Sequence, residues 1–152
     1  MKRQAAWAVV LVAAFSATGC GMLNDFRKTR HTKAANRYVA EKKWKEATIE
    51  FRTALRYDPQ NLQLVKGLGL AFFDNGQLGE AFPPLRRYRD QNPDDLEVRQ
   101  KLGVIYLMGR APDKAREQAE AILKKHAQDV DAMLLLAESA GTPEEVKEAI
   151  GP

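Results

Sequence analysis

A 34-residue period is the feature that most constrains what this chain can fold into. The recurring segments are Asp58-Pro59-Gln60-Asn61 with Asn92-Pro93-Asp94-Asp95, and Leu68-Gly69 plus Phe72 with Leu102-Gly103 plus Tyr106. Periods of roughly 20 to 50 residues are typical of arrays whose units bury their apolar faces against one another. About three units are needed before such an array is stable, and a chain of 152 residues has room for them.

A second element of the period is an alanine followed, four residues later, by a larger or apolar residue. It occurs as Ala47 with Phe51, Ala81 with Leu85, and Ala115 with Ala119. Together the two patterns resemble the tetratricopeptide repeat, whose L-G-x-x-Y and A-x-x-x-F positions they match. The resemblance implies an all-α solenoid of antiparallel helix pairs with about three and a half repeats. We place these at 28–61, 62–95, 96–129 and, for the partial fourth, 130–152.

The repeat pattern carries expectations about packing. Gly69 and Gly103 would let the alanine of the second helix of each repeat approach the first helix closely. Pro83-Pro84 falls inside a second helix, where proline costs about 3 kcal/mol, so we expect a kink there or a later helix start near Gly79. Tyr88 stands where a small residue is usual, which predicts looser packing between the second and third repeats.

The N-terminus has the composition of an export signal. Lys2 and Arg3 precede an apolar run over residues 5–15, and residues 16–19 are small. This run is too short to cross a bilayer, which takes about 20 apolar residues. Residues 17–20 resemble a bacterial lipobox, which implies a signal peptide over 1–19, lipidation of Cys20 and a short tether over 20–27. The alternative is an ordinary exported protein with Cys20 as a free thiol.

Lipidation would fix the address of the protein. Two or more acyl chains anchor a protein stably, at about 0.8 kcal/mol per buried methylene. The residue after Cys20 is Gly21 and not aspartate. By resemblance to lipoprotein sorting, this favours the outer membrane, with the domain facing the periplasm.

Composition excludes several function classes. One cysteine and two histidines are too few for a structural zinc site of four such ligands. A net charge of +4 is too small for a dedicated nucleic-acid binder. His31 and His126 are expected to be solvated helix residues, while Asp94-Asp95 and Glu144-Glu145 are expected to cap helices. We therefore predict no metal, no cofactor, no nucleic-acid partner and no enzymatic activity.

The first helix of each repeat is expected to present a concave face to a protein partner, in the way helical grooves bind peptides. The predicted partner-binding residues are Asn36, Val39, Lys66, Leu70, Phe73, Gln100, Val104, Leu107 and Met108. The stripe is unusually apolar for an exposed surface. The alternative is that Leu70, Val104 and Leu107 belong to the core between repeats, with the helix phase shifted by one residue.

A second surface is basic and lies close to the predicted lipid anchor. Residues 21–45 contain eight basic residues and two acidic ones. We expect Arg27, Lys28, Arg30, Lys33 and Arg37 to attract anionic phosphates, at about 1 kcal/mol per charge near a membrane surface. The alternative is an ordinary solvated helix face.

Two segments, EATIEFRTAL at 46–55 and LGLAF at 68–72, resemble bacterial tetratricopeptide-repeat lipoproteins of exopolysaccharide and PEP-CTERM (exosortase) systems. This implies a periplasmic scaffold for an envelope assembly or exopolysaccharide export machine. The alternative is an adaptor that recruits a periplasmic hydrolase or protease to its substrate.

The partial fourth repeat leads to a further expectation about partners. No following repeat covers its apolar residues, and an uncovered apolar surface tends to bind a partner. The residues concerned are Leu134, Leu135, Leu136, Val146 and Ile150. We expect this part of the chain to mediate self-association or partner docking.

Overall fold

The computed structural model describes residues 23–141, and these form seven α-helices and no β-strand. Helix α1 covers 23–40; the helices that follow are α2 (Trp44–Tyr57), α3 (Leu62–Asp74), α4 (Leu78–Gln91), α5 (Leu96–Met108), α6 (Pro112–Leu123) and α7 (Val130–Ser139). The chain divides after Leu64 into two compact units. The predicted signal peptide and Cys20 lie outside the described residues.

Helices α3, α5 and α7 begin at 34-residue intervals, and each begins after a capping side chain. Asn61, Asp95 and Asp129 accept hydrogen bonds from the backbone N–H three residues later, at 3.2, 3.1 and 2.9 Å. Such caps satisfy N–H groups that have no partner within the helix. The expected capping role of Asp95 is confirmed, whereas Glu144-Glu145 lies outside the described residues.

The turns that follow α1, α3 and α5 also repeat at 34-residue intervals. In each, one residue has a left-handed backbone: Lys42 (φ 55°), Gly76 (φ 75°) and Arg110 (φ 57°). The N–H of the following residue donates to the carbonyl five positions earlier, as in Lys43 N–H to Tyr38 O at 2.8 Å. Gln77 and Ala111 repeat this bond, so each turn is a Schellman motif.

In the first unit, α1 packs against α2 through small side chains and one aromatic ring. Ala35, Ala47 and Ala54 are fully buried, and Phe51 is nearly so. Both members of the predicted Ala47–Phe51 pair therefore lie in the core. Small side chains on both helices thus make up most of the buried residues of this unit.

In the second unit, one cluster of the core lies between α5, α6 and α7. Ala115, Ala119, Leu135 and Leu136 form a buried cluster, with Tyr106, Leu107 and Leu123 packed against it. The expectation that Leu135 and Leu136 are uncovered is wrong, because they fill the space beside the small alanines of α6. Leu134 is exposed, and Val146 and Ile150 lie outside the described residues.

The two repeat glycines are tightly packed, and the atoms nearest to an added Cβ belong to leucines. A Cβ on Gly69 would lie 2.6 Å from Leu85 Cδ2, and a Cβ on Gly103 would collide with Leu135. In the third repeat the position equivalent to Leu85 is Ala119, which is too small to reach α5, so Leu135 from the next helix occupies the space beside Gly103.

Helix α4 accommodates both prolines. It starts at Leu78, in 34-residue register with the first residues of α2 and α6, and continues through Pro83 and Pro84 to Gln91. Of the two expectations, a kink or a later start near Gly79, the later start is not observed, because α4 begins in register at Leu78; the kink stays a prediction. Tyr88 is 5% exposed, so the second unit buries this ring at the position where a small residue was expected.

A buried polar side chain joins three helices of the second unit. Gln118 on α6 is 1% exposed. Its Oε1 accepts hydrogen bonds from Arg99 Nη1 on α5 at 2.9 Å and from Arg89 Nη1 on α4 at 3.3 Å. Both bonds are charge-assisted, which offsets the cost of removing the amide from water.

Candidate binding surfaces

The apolar part of the predicted partner-binding stripe lies on α3 and α5 of the second unit. Leu70, Phe73 and Val104 are each half-buried. The Lys101 ammonium lies 4.6 Å from the centroid of the Phe73 ring, within range of a cation–π interaction. This leaves a surface of partly exposed apolar side chains with one cation beside it.

Lys66, the cation of the predicted stripe, is already paired within the second unit. Its Nζ lies 2.8 Å from Asp95 Oδ2 and 2.8 Å from Glu97 Oε2. Burial acts to lower the pKa of Lys66, but the hydrogen bonds to the two carboxylates outweigh it and leave the pKa above its ordinary value. Lys66 is therefore unsuited to bind a partner's carboxylate without first losing these contacts.

Asp95 experiences the complementary effect. Burial acts to raise its pKa, but hydrogen bonds from Lys66, the Val98 backbone and Tyr88 prevail, so the pKa lies below its ordinary value. Gln100 lies one repeat after Lys66 and likewise bonds to a residue about 30 positions later: its Nε2 donates to the Asp131 carbonyl at 3.2 Å. The polar members of the stripe in this unit thus link successive helices.

Two predicted residues at the end of α5 differ from the rest of the stripe. Leu107 is partly buried and packs against the Ala115–Leu136 cluster, so for this residue the core alternative holds. Met108 is 71% exposed and lines an apolar groove of about 480 Å³. That groove is formed by Leu78, Gly79, Phe82, Ile105, Tyr106, Met108, Gly109 and Ala111.

The two predicted stripe residues of the first unit lie on α1. Asn36 is exposed and Val39 is half-buried. Neither lines the large groove of this unit, which lies on another side of α1. Partner binding by the nine predicted residues stays a prediction.

The large groove of the first unit is basic. It has a volume of about 720 Å³ and is lined by Phe26, Thr29, Arg30, His31, Lys33, Ala34, Arg37, Tyr38 and Glu50. Three of the five predicted basic residues, Arg30, Lys33 and Arg37, are thus brought to one groove. Arg27 is exposed but does not line it.

Lys28, the fifth predicted basic residue, is neutralised by two carboxylates. Its Nζ lies 3.0 Å from Asp25 Oδ1 and 3.2 Å from Asp58 Oδ2. Hydrogen bonds to Asp25 and Asp58 raise the pKa of Lys28, and hydrogen bonds from Asn61 and Lys28 lower the pKa of Asp58. The turn after α2 thus brings Asp58 to Lys28, which gives this predicted basic residue carboxylate partners within the protein.

His31 also differs from expectation. It is half-buried, its Nδ1 lies 2.6 Å from Glu50 Oε2, and its ring stacks on Tyr57 with a centroid separation of 6.0 Å. This contact occupies the one carboxylate that lines the basic groove. His126 is exposed, as expected.

Within residues 23–141, no cluster of three or more His, Cys, Asp or Glu side chains has the arrangement of a metal site. Nor does any helix of this range combine the length and apolarity needed to cross a membrane.

Several exposed apolar side chains lie outside the predicted stripe and the predicted basic set; Phe26 was not predicted at all, whereas Leu134 was expected only as part of the uncovered fourth repeat. Phe26 is 68% exposed and lines the basic groove, and Leu134 is 56% exposed on α7, one repeat after Gln100. The repeat register alone indicates Leu134, because it is the third member of the series that begins with Lys66 and Gln100. Phe26 precedes the first predicted repeat, so the register carries no signal for it.

Comparison with known proteins decides the family. Models described as "Tetratricopeptide repeat" match residues 32–95 and 72–139. The chain contains tetratricopeptide repeats. A solved structure agrees with this: YrrB, described as a TPR protein with an unusual peptide-binding site, is 28% identical, with a TM-score of 0.72 over 81% of this chain. The TPR chain in turn spans 63% of the YrrB chain.

No curated protein sequence matches the TPR chain closely enough to count as a relative. The predicted all-helical TPR fold is confirmed. TPR folds are typically non-catalytic scaffolds for protein interactions, which is the coarse function that the repeats support.

Proposed function

We propose that this TPR protein is a lipid-anchored periplasmic scaffold that binds a protein partner of an envelope assembly or exopolysaccharide export system. Its anchor would be Cys20, at the outer membrane. The lipobox-like segment and the apolar run before it support the anchor, and the resemblance of residues 46–55 to lipoproteins of such systems supports the pathway.

The observation that carries partner binding is the half-buried apolar stripe formed by Leu70, Phe73 and Val104. Beside it, Lys66 is paired with Asp95, and Gln100 Nε2 donates to the Asp131 carbonyl. Apolar side chains on the partner would therefore supply most of the contact energy, at roughly 25 cal/mol per Å² buried. By analogy with the peptide-binding site of YrrB, an extended or helical segment is the expected ligand.

Site-specific photo-crosslinking in cells would test partner binding. A photoreactive amino acid at position 104 should yield a crosslinked species containing an envelope assembly or export protein. The same amino acid at position 124, where Lys124 is exposed, is the matched control. Equal crosslinking from both positions would contradict the stripe as the binding site, and a crosslinked peptidase or hydrolase would favour the recruiting adaptor instead.

Metabolic labelling would test the anchor separately. Wild-type protein should incorporate labelled palmitate and fractionate with membranes, whereas Cys20→Ser should do neither. Labelling of the serine variant would show that the lipobox assignment is wrong, whatever the result of the crosslinking experiment.

A further inference from the structure

One side of α1 combines exposed apolar and cationic side chains in a single line. Leu23 is 50% exposed and Phe26 68% exposed. Arg30, Lys33 and Arg37 follow them at alternating steps of four, three and four residues. Residues three or four apart are neighbours on a helix surface, so these five side chains lie on one face, here called the α1 face. At 1.5 Å per residue, the α1 face is about 21 Å long.

The cations of the α1 face have few competitors among residues 23–141. Arg30 and Lys33 are exposed and make no ion pair with a described residue. Arg37 stacks on the Tyr38 ring at 5.0 Å, and its Nε is 3.8 Å from Glu41, a distance typical of a weak surface pair. The Glu50 carboxylate that lines the adjoining groove is held by His31 at 2.6 Å.

This combination is the one that helices at a membrane interface use. Such helices bury Leu, Phe or Trp side chains about 5–10 Å into the headgroup boundary, and their Lys and Arg side chains contact lipid phosphates. Long cationic side chains can cover apolar surface while their charged ends reach the headgroups. On the α1 face the two large apolar residues come first in sequence and the three cations follow.

The position of Cys20 in the sequence favours a bilayer over an acidic protein as the occupant. Cys20 lies three residues before Leu23, so even a fully extended chain separates them by no more than about 11 Å. A lipid on Cys20 would therefore hold Leu23 and Phe26 at the membrane surface. A partner protein would have to compete with this surface for the same face.

We propose that the α1 face lies against an anionic phospholipid bilayer, with Leu23 and Phe26 at the headgroup boundary and Arg30, Lys33 and Arg37 on lipid phosphates. Lys28 is not part of this contact, because Asp25 and Asp58 neutralise it. The inference deepens the proposed function by orienting the scaffold at its membrane. The choice of a bilayer as occupant rests on the proposed anchor, but the lipid affinity of the α1 face and the lipidation of Cys20 are measured separately, so either can fail alone.

Vesicle flotation with the full chain carrying Cys20→Ser would test the proposal, since this variant has no thiol to lipidate. The probes are phosphatidylcholine vesicles and phosphatidylcholine vesicles containing one third phosphatidylglycerol. The apolar run at 5–15 contributes to binding in both, so the quantity compared is the ratio of the two affinities. We expect the ratio to favour the anionic vesicles and to decrease as salt rises.

Charge removal on the α1 face should reduce this ratio. Arg30→Gln, Lys33→Gln and Arg37→Gln together should lower binding to the anionic vesicles by about fivefold per charge. The matched control removes three exposed cations elsewhere, as Lys45→Gln, Arg56→Gln and Lys124→Gln, and should change binding less than about threefold. Both sets alter exposed side chains, so helical circular dichroism should match that of the parent.

Phe26→Ser supplies a second measurement, because it should weaken binding to both vesicle types while leaving the ratio nearly unchanged. The proposal is overturned if the α1-face and control variants bind anionic vesicles equally well. It is also overturned if the parent does not discriminate between the vesicles but binds a poly-glutamate peptide that the α1-face variant does not bind. That result would assign the face to an acidic protein segment.

Discussion

Three turns that end helices share one left-handed residue but differ in the side chain at that residue. Lys42, Gly76 and Arg110 all occupy the left-handed region that ends a helix in a Schellman motif. Glycine adopts this conformation at no steric cost, whereas other residues pay roughly 1–2 kcal/mol. Two of the three turns therefore store strain that the flanking helix pairs must outweigh.

Arg110→Gly should stabilise the protein by about 1 kcal/mol, because it relieves the strain at φ 57°. The Arg110 side chain is exposed, so its removal loses little packing. Gly76→Ala should cost about the same amount for conformational reasons alone, since an added Cβ meets no atom within 4 Å. Thermal melting followed by circular dichroism measures both. Lys124→Gly, at an ordinary helical φ of −58°, is the control and should give no gain.

The paired carboxylate of Asp95 gives a second prediction. Asp95→Asn keeps an effective helix cap but loses the ionic contact with Lys66, in which both side chains are less than one-fifth exposed. We expect a loss of about 1–2 kcal/mol in the free energy of unfolding. Asp129→Asn is the matched control, because Asp129 caps α7 through the same bond and makes no ion pair within the described chain. Urea titration of the two variants should separate them.

The contribution of Asp95 should depend on pH with a definite sign. Its pKa is lower in the folded state than in the unfolded state, where an aspartate titrates near about 3.9. The stability it contributes is therefore fully present above that value and is lost as pH falls through the folded pKa. The difference between wild type and Asp95→Asn should be constant near neutral pH and shrink below about pH 4. A constant difference down to pH 2 would contradict the pairing.

Between helices, the size of the side chain at one repeat position determines which residue packs against the repeat glycine. In the third repeat this position is the small Ala119, and Leu135 packs against Gly103. In the preceding repeat, Leu85 performs this role against Gly69. The repeats thus share a backbone register while different helices supply the packing side chain.

Gly103→Leu should destabilise the fold by about 1–3 kcal/mol or more, because any side chain at 103 collides with Leu135. Lys124→Leu, at an exposed position, is the control and should melt near the wild-type temperature. A double variant tests the contact directly. Gly103→Ala combined with Leu135→Ala should lower the free energy of unfolding by less than the sum of the two single changes, because Leu135→Ala removes the side chain with which the Cβ added at position 103 would collide. Strict additivity would show that the two sites do not touch.

The sequence predicted the helical repeat fold correctly because its evidence was local. The Leu-Gly pair and the alanine that precedes a larger or apolar residue by four positions recur whatever the neighbours are, and so do the capping positions at Asn61, Asp95 and Asp129. The partner of each glycine was not predictable in this way. It depends on whether residue 85 or 119 is large enough to cross the gap, and on which helix supplies a leucine when it is not.

The sequence also could not show which cations of the basic surface are available to bind a ligand. The sequence identified five cations, but their availability depends on contacts with distant residues. Asp58 neutralises Lys28 from 30 positions away, and His31 occupies Glu50 from 19 positions away. Local periodicity carries no information on such pairs, so the exposed set of Arg30, Lys33 and Arg37 required the three-dimensional structure.

For the whole molecule, charge and apolar exposure are distributed unevenly along the chain. Residues 21–45 carry eight basic side chains against two acidic ones. The last described helix, α7, instead exposes Val130 and Leu134. Basic residues near the predicted anchor suit an anionic surface, while the aliphatic residues of α7 suit a protein. The proposed membrane contact and the predicted protein contact therefore involve residues of different units.

The exposed apolar side of α7 predicts self-association of the protein. Leu134 is 56% exposed and Val130 75% exposed on one side of α7, whereas Leu135 is buried in the core. Leu134→Glu should therefore reduce association without unfolding the protein, which Leu135→Glu would not allow. In analytical ultracentrifugation, wild type should form a concentration-dependent dimer or larger species, and Leu134→Glu should remain monomeric with an unchanged circular dichroism spectrum. Glu138→Gln, a change at another exposed position of the same helix, should associate as wild type does. A wild-type protein that stays monomeric at high concentration would leave α7 available for a different protein, and crosslinking from position 134 should then capture it.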